Sequence, residues 1–223
     1  MKGKLIVIDG TDGSGKTVQT SLLVERLKKE GHSVELIEFP QYGQKSAGLI
    51  EEYLNGKYGS AEEVGPFRAS IFFACDRYAA ASKIRGWLDS GKIVITNRYV
   101  FSNMGHQAGK ISDIKERDKF LEWVQDLEFN IFGIPRPDLN LLLFVPPKMG
   151  QKLVDKKQDR EYLHGKKRDM HEADIDHLKN ASDAYIYVAK KYGWPIIDCT
   201  TNEEILSREE IAEMVWEKVK DTL

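Results

Sequence analysis

The feature that most constrains this chain is a glycine-rich segment that directly follows a short apolar run at residues 5–8. The segment matches the pattern G-x-x-x-x-G-K-[ST], in which glycines let backbone N–H groups turn toward phosphate oxygens at the start of a helix. Its eight residues, all predicted to bind a nucleoside triphosphate, are Gly10, Thr11, Asp12, Gly13, Ser14, Gly15, Lys16 and Thr17. Lys16 can reach the β- and γ-phosphates, and the Thr17 hydroxyl can ligate the Mg²⁺ that travels with them. A chance glycine-rich turn is the alternative, and it is disfavoured because a predicted strand precedes the motif and a predicted helix follows it.

Length and composition are those of an ordinary globular protein. With 223 residues, 41% of them hydrophobic, and a net charge of −2, we expect one α/β domain over residues 1–223 and no generally basic surface for nucleic acid. Cys75 and Cys199 lie far apart in apolar surroundings, so we expect buried thiols and a reducing cytoplasm rather than a disulfide. No apolar run is long enough for a signal peptide or a membrane span, and no membrane partner is expected.

The order of apolar runs and amphipathic segments predicts the architecture. Short apolar runs predict strands at residues 5–8, 34–39, 93–95, 139–145 and 194–199. Apolar residues at helical spacing predict helices at 16–30, 47–54, 67–89, 113–127, 148–158, 172–192 and 207–219, whereas 102–110 is a polar segment rich in side-chain amides. This alternation predicts three layers, in which helices cover both faces of a mostly parallel, five-stranded sheet.

The chemistry is expected along one edge of this sheet. Ligands of such sheets bind outside the carboxyl ends of the strands, which are marked here by Asp9, Phe39, Asn97, Val145 and Cys199. Asp9 ends the first strand beside Thr17, so it is a candidate to hold a water of the Mg²⁺ shell. Donor phosphates would repel Asp12, and we expect it instead to accept a hydrogen bond from a sugar hydroxyl of the acceptor.

Further positive charge for phosphoryl transfer must come from elsewhere in the chain, because positions 11–14 contain no Arg or Lys. Arg98 follows a buried strand and is predicted to face the site, where it can bind a phosphate; the alternative is a surface arginine paired with a carboxylate. Arg160 and Arg168 flank a glycine-containing loop within a basic stretch. They suit a mobile lid over about residues 148–171 that closes on the phosphates, whereas the alternative is a solvated helix face.

A second set of residues can bind the acceptor. Phe73 and Arg77 lie on the long predicted helix, where a ring can stack on a base and a guanidinium can hydrogen-bond to its edge. The alternatives are that Phe73 belongs to the core and that Arg77 pairs with Asp76 or with a distant carboxylate. Asn103 and Gln107 offer donors and acceptors that suit a nucleobase edge, or they are ordinary loop amides.

The order of these motifs resembles that of the thymidylate kinases, a family of nucleoside monophosphate kinases. The shared motifs run over nearly the whole chain and comprise Asp9-Gly10, residues 12–17 with Gln19, Phe39-Pro40, residues 73–77, Arg98-Tyr99 with Ser102-Asn103, and Pro137-Asp138-Leu139. The resemblance implies a P-loop kinase fold and the ATP- and Mg²⁺-dependent phosphorylation of thymidine monophosphate to the diphosphate. It also implies a homodimer.

The resemblance assigns roles to the matching residues. It implies that Phe73 stacks on thymine, that Arg77 bonds to its edge, and that Asn103 and Gln107 lie near the base or sugar. Asp12 would meet the deoxyribose 3′-hydroxyl. Taken together, the predicted catalytic residues are Lys16, Arg160, Arg168 and Arg98, which would hold the acceptor phosphate. The predicted acceptor-binding residues are Asp12, Phe39, Arg68, Phe73, Arg77, Arg98, Asn103 and Gln107, and the predicted metal-binding residues are Thr17 and Asp9.

One departure from the family pattern affects the metal site. The family usually has an aspartate before the arginine at the end of the third strand, whereas this chain has Asn97. Because an amide lacks the charge of a carboxylate, we expect Mg²⁺ positioning to fall more heavily on Asp9 and Thr17.

A second departure follows residues 39–40, where the family usually carries an arginine for the acceptor phosphate. Lys45 or Arg68 can substitute for it in this chain. Two alternative functions stay open: a kinase for another nucleoside monophosphate or for a deoxynucleoside, and a nucleotide-binding regulator that has lost transfer. The second is suggested by Asn97.

Overall fold

A parallel sheet forms the centre of the structure, a computed structural model that describes residues 2–154, 175–202 and 204–223. Its strands are β1 (Lys4–Gly10), β2 (Val34–Glu38), β3 (Ile93–Asn97), β4 (Leu139–Phe144) and β5 (Ile196–Asp198). They lie in the order β2-β3-β1-β4-β5, and every neighbouring pair is parallel. The predicted five-stranded α/β sheet is therefore confirmed.

Helices cover both faces of the sheet, as predicted. They are α1 (Lys16–Lys29), α2 (Gly48–Leu54), α3 (Ala61–Asp89), α4 (Val100–Ala108), α5 (Ile114–Gln125), α6 (Pro147–Val154), α7 (Ile175–Tyr192) and α8 (Arg208–Val219). Short 3₁₀ turns occur at Lys45–Ala47 and Lys220–Thr222, and a π-helical turn, Asp126–Ile131, extends α5. Two short strands, β6 (Thr200–Thr201) and β7 (Glu204–Ile205), form a separate antiparallel pair that the sequence pattern did not indicate.

Two predicted assignments differ most from the structure, and a third falls partly on residues that the structure does not describe. The polar segment 102–110 lies mostly within α4, because its amide-bearing face is buried and packs against α3 and α7. The long helix α3 begins earlier than predicted, with a capping box between Ser60 and Glu63, and it kinks at Gly65, whose φ of 72° lies outside the helical region. The predicted helical residues 155–158 and 172–174 lie outside the described residues.

Side chains of β1 alternate between two hydrophobic cores. Leu5 and Val7 join a cluster with residues of α3, α4, α5 and α7, whereas Ile6 and Ile8 join a cluster with residues of α1 and α8. Because successive side chains of a strand point to opposite faces, one apolar strand supplies both cores. Full burial of each such side chain contributes about 1.5–3 kcal/mol to the stability of the fold. Because β1 contributes side chains to both clusters, it stabilises the packing of the helices on both faces of the sheet.

The parallel register brings the polar ends of neighbouring strands together. Ile8 of β1 lies beside Asn97 of β3, and Asn97 in turn lies beside Glu38 of β2. The loop from β1 to α1 starts at this same edge, so the glycine-rich motif and the residues that follow β3 face one another. Within the described ranges, no helix combines the length and the hydropathy that a membrane span requires.

Candidate active site

The glycine-rich loop forms a tight turn between β1 and α1. Gly13 and Gly15 have φ values of 80° and 83°, in the left-handed region that glycine adopts without a Cβ clash. Gly13 also lies against α6, where a Cβ would come within 2.2 Å of the carbonyl oxygen of Gly150. The loop therefore requires glycine at position 13 for its conformation and for its contact with α6.

Lys16 lies at the start of α1 and points back over the loop. Its Nζ donates hydrogen bonds to the carbonyl oxygens of Gly10 and Thr11, at 3.0 and 2.8 Å. The Thr17 side chain beside it is exposed. These positions place an ammonium group and a hydroxyl at a helix N-terminus, which is the geometry expected of a phosphate site.

Asp9 is completely buried at the end of β1. Its carboxylate accepts hydrogen bonds from the Ser102 hydroxyl at 2.8 and 2.9 Å, from the Tyr185 hydroxyl at 2.9 Å, and from the Gly10 backbone N–H at 2.8 Å. Burial, and secondly the charge of Asp9, raise the pKa of Tyr185 well above its usual value, so this phenol stays protonated and donates. Asp9 thus joins β1 to α4 and α7, and its proposed role at Mg²⁺ stays a prediction.

Arg98 lies between the glycine-rich loop and α4. Its Nη2 donates to Asp12 Oδ1, and its Nη1 lies 3.1 Å from His106 Nε2 and 3.4 Å from the Ser102 hydroxyl. Burial lowers the pKa of Arg98, but the negative charges nearby, first that of Asp12 and then that of Asp9, outweigh this effect, and the net pKa is raised. A permanent cation is therefore held in contact with the loop that the sequence predicts to bind ATP.

The backbone of Arg98 is strained at this position. Its φ is 65°, a left-handed conformation that costs a residue with a Cβ about 1–2 kcal/mol. Such strain is found disproportionately at functional sites, where the surrounding structure maintains it. Asp9 provides part of this support, because its Oδ2 accepts from the backbone N–H of the next residue, Tyr99, at 3.4 Å.

His106, which the sequence analysis did not single out, contacts Arg98 from α4. Burial is the main cause that lowers its pKa well below the usual value, so the imidazole is neutral at pH 7. In the tautomer with a proton on Nδ1, Nε2 can accept the hydrogen bond from Arg98. The ring also lies edge-on to Tyr185, with centroids 5.4 Å apart, so it fixes Arg98 relative to α7.

Arg77 forms a buried ion pair with Glu128, and this resolves the alternatives for its partner. Arg77 Nε and Nη2 donate to the two carboxylate oxygens at 2.5 and 2.6 Å, and the side chains are only 2% and 0% exposed. Asp76 is not the partner, because it accepts from Gln41 and Ser46. The distant carboxylate is Glu128, in the π-helical turn after α5.

Several buried polar atoms of α3 and α4 have no hydrogen-bond partner among the described residues. Asn103 Nδ2 donates to Glu128 and to the Ser70 carbonyl, but Asn103 Oδ1, Gln107 Oε1 and Ser70 Oγ are buried without a partner. Buried polar atoms normally have a partner, which for these can be a ligand or water. The two amides are helical rather than loop residues, and Asn103 joins the network of the ion pair through Glu128.

The remaining predicted residues have varied environments. Phe73 is half-buried, and its ring lies edge-on to Tyr53 with the centroids 6.3 Å apart. Part of the ring therefore packs in a hydrophobic cluster, and the rest is exposed. Phe39 is buried in the core against Tyr99. Arg68 is exposed and donates to the Glu63 carbonyl within its own helix, at 2.9 Å. The predicted lid residues 155–171, with Arg160 and Arg168, lie outside the described residues.

Asn97 connects the Thr17 hydroxyl with a carboxylate that the sequence analysis missed. Its Nδ2 donates to Thr17 Oγ1 at 3.1 Å and to Glu38 Oε1 at 2.9 Å. In the described ranges, no group of three or more His, Cys, Asp or Glu side chains is arranged to hold a metal ion. An exposed hydroxyl with a nearby acid fits Mg²⁺, which keeps several waters and uses one or two protein ligands besides the substrate phosphates.

Comparison with known proteins identifies relatives of this chain. A family model described as thymidylate kinase matches residues 8–210. The thymidylate kinase of Mycobacterium tuberculosis is 31% identical over 191 residues, which cover 85% of this chain and 87% of that protein. The human thymidylate kinase is 30% identical over 142 residues, covering 64% of this chain and 61% of that protein. The structure of a thymidylate kinase from Candida albicans has the same fold, with a TM-score of 0.74, 21% identity, and coverage of 99% of this chain and 92% of that one.

Proposed function

The chain belongs to the thymidylate kinase family, and from this premise we propose that it transfers the γ-phosphoryl group of ATP to thymidine monophosphate, giving thymidine diphosphate and ADP. It is a nucleoside monophosphate kinase, and so a phosphotransferase. The observation that carries the assignment to this site is the contact between Arg98 and Asp12. It joins a cation suited to an acceptor phosphate to the loop suited to the donor, which is the juxtaposition that transfer between two phosphates requires.

Donor binding is proposed for residues 10–17. The loop N–H groups and the N-terminus of α1 would bind the phosphates, and Lys16 would exchange its bonds to the Gly10 and Thr11 carbonyls for bonds to β- and γ-phosphate oxygens. Mg²⁺, when bound with ATP beside Thr17, neutralises charge on the β- and γ-phosphates. Catalysis then consists of positioning and electrostatic stabilisation, with no covalent enzyme intermediate.

Acceptor binding is proposed on the other side of Arg98. Its guanidinium would hold the acceptor phosphate, and Asp12 would accept a hydrogen bond from the sugar hydroxyl. The unpartnered acceptors of Asn103 and Gln107 support a base site beside Arg77, where a thymine N–H can donate to an amide oxygen. The half-buried Phe73 ring would supply the stacking surface. The lid arginines, Arg160 and Arg168, stay a prediction.

A coupled assay of ADP release tests this function. With ATP and Mg²⁺, we expect turnover with thymidine monophosphate that clearly exceeds turnover with the other nucleoside monophosphates or with thymidine. ATP without an acceptor is the control for hydrolysis. Turnover with thymidine but not with its monophosphate would make the chain a deoxynucleoside kinase. Binding of ATP with no diphosphate product at high enzyme concentration would make it a regulator.

A homodimer is proposed on the basis of family membership and of an apolar surface on α3. Phe67, Ile71 and Tyr78 recur there at helical spacing, and all three are exposed large hydrophobic side chains. Covering such a surface with a second copy removes apolar area from water. A cytoplasmic location is proposed as well, which the free thiols of Cys75 and Cys199 support.

Replacing Ile71 with aspartate is expected to convert the dimer to a monomer, because a buried charge at the centre of an apolar interface lacks a partner. Light scattering after size-exclusion chromatography measures the mass. The matched control is Ile205→Asp, which changes a similarly exposed isoleucine in β7 and should leave the dimer intact. A monomeric wild-type chain, or a dimeric Ile71→Asp variant, would contradict this assignment.

A further inference from the structure

Glu38 and Asn97 form a hydrogen-bonded pair at the ends of two neighbouring strands. The two residues are direct partners in the parallel register of β2 and β3, and Glu38 Oε1 accepts from Asn97 Nδ2 at 2.9 Å. The same Nδ2 donates to the Thr17 hydroxyl at 3.1 Å. One amide therefore connects a carboxylate on β2 with the hydroxyl that follows the loop lysine.

The burial pattern shows that both ends of this group are open to solvent, whereas its centre is buried. Thr17 and Glu38 are exposed, whereas Asn97, which lies between them, is only 9% exposed. Because the Glu38 carboxylate can only accept hydrogen bonds, the Asn97 amide turns its Nδ2 donor, and not its oxygen, toward Glu38. Asn97 Oδ1 is then left buried without a hydrogen-bond partner among the described residues. The amide that donates a hydrogen bond to the Thr17 hydroxyl therefore also has a buried oxygen that can accept one.

Electrostatics distinguishes Glu38 from the other candidates. A divalent cation bound with a triphosphate is stabilised by a nearby negative charge, and Asn97 has none. Asp9 has the charge, but its oxygens accept from Ser102, Tyr185 and Gly10. Glu38 is exposed and carries a carboxylate, and the Asn97 amide is the only group between it and the Thr17 hydroxyl in the hydrogen-bond chain that the described residues form. It can accept a hydrogen bond from a water of the Mg²⁺ shell.

We propose that Glu38 is a positioning residue for the Mg²⁺ of MgATP, and that it supplies from the end of β2 the carboxylate that β3 lacks at Asn97. The proposal rests on the ATP site described above. Glu38 acts through a water of the metal and through Asn97, which orients the Thr17 hydroxyl. The competing explanation is that Glu38 only orients the Asn97 amide.

Metal affinity separates the two explanations without relying on turnover. Free Mn²⁺ is measured by electron paramagnetic resonance in the presence of the protein and ATP, with no acceptor added. Glu38→Gln keeps an oxygen that can accept from Asn97 but removes the charge. Its Mn²⁺ affinity in the ATP complex is expected to fall about tenfold, as is typical when an outer-shell carboxylate is lost.

The matched control is Glu35→Gln, which removes the same charge from the same strand about 10 Å away. Glu35 pairs with Lys92 instead, so this variant should bind Mn²⁺ like the wild type. A rescue adds Asn97→Asp to Glu38→Gln, which returns one carboxylate to the pair and should restore most of the affinity. Metal-free ATP should bind equally to all these variants.

The proposal would be overturned if Glu38→Gln changed the affinity for Mn²⁺ no more than Glu35→Gln does, or if Glu38→Gln weakened the binding of metal-free ATP to the same extent. Failure of the Asn97→Asp rescue would likewise reject a role for the charge. The proposed function fails separately. A chain that binds MnATP but forms no thymidine diphosphate would reject the transferase assignment, while the Mn²⁺ affinities would still decide the role of Glu38.

Discussion

Replacing Lys16 with alanine is expected to lower the rate constant for transfer to thymidine monophosphate by about a hundredfold to a thousandfold. The reason is the absence of any other basic residue in the loop: Lys16 is the one cation at positions 10–17, so its loss leaves charge on the β- and γ-phosphates without the ammonium group. Rapid-quench measurement of thymidine diphosphate at saturating substrates gives this rate constant directly.

The fold should survive this substitution. Lys16 donates hydrogen bonds to two loop carbonyl oxygens. Leaving such acceptors without a donor lowers the free energy of unfolding by about 1–3 kcal/mol. Lys28→Ala, an exposed lysine at the far end of the same helix, is the control and should retain full activity. Full activity of Lys16→Ala would overturn the assignment of the loop, whereas an unfolded variant would show that the lysine bonds matter mainly for structure.

Replacing Glu128 with alanine is expected to lower the free energy of unfolding by about 3–5 kcal/mol, because it leaves the buried Arg77 guanidinium without its partner. It also removes an acceptor from Asn103. Denaturant unfolding measures the loss. The control is Glu217→Ala, which breaks an exposed ion pair with Lys220 and should cost less than about 1 kcal/mol.

A double substitution tests whether the cost comes from the unpaired charge. Arg77→Met with Glu128→Leu removes both charges and fills similar volume, so it should recover most of the stability. If Arg77 also bonds the edge of thymine, the stable double variant should still bind thymidine monophosphate more weakly, with ATP affinity nearly unchanged. A Glu128→Ala variant as stable as Glu217→Ala would contradict the importance of the pair.

Arg77 shows how a structural role and a recognition role can coincide. The two hydrogen bonds that Arg77 donates to Glu128 fix the plane of the guanidinium, and Asn103 extends the network to α4. A fixed plane loses less conformational entropy when a base binds beside it. The buried ion pair is thus consistent with a preorganised base site and does not exclude the predicted contact with the acceptor.

Local patterns in the sequence were sufficient to predict the sheet and the loop. Residues 5–8 are apolar at every position, a pattern typical of a strand that is covered on both faces in a parallel sheet. The structure shows these residues buried in β1, at the centre of the sheet. Residues 102–110 were harder to assign, because Asn103 and Gln107 are polar yet lie on the buried face of α4. Periodicity treats a buried amide as a surface residue, so a helix with amides on its buried face lacks the expected apolar stripe.

The sequence by itself was sufficient to predict a phosphate-binding loop, because residues 10–17 are contiguous and their backbone conformation follows from local glycine positions. Only the tertiary structure decided the partners of the isolated charges. Arg77 meets Glu128 across 51 positions, Asp9 meets Tyr185 across 176, and Asn97 meets Glu38 across 59. The physical reason is that strand register and helix packing select these neighbours, and neither is encoded in the residues adjacent to each charge.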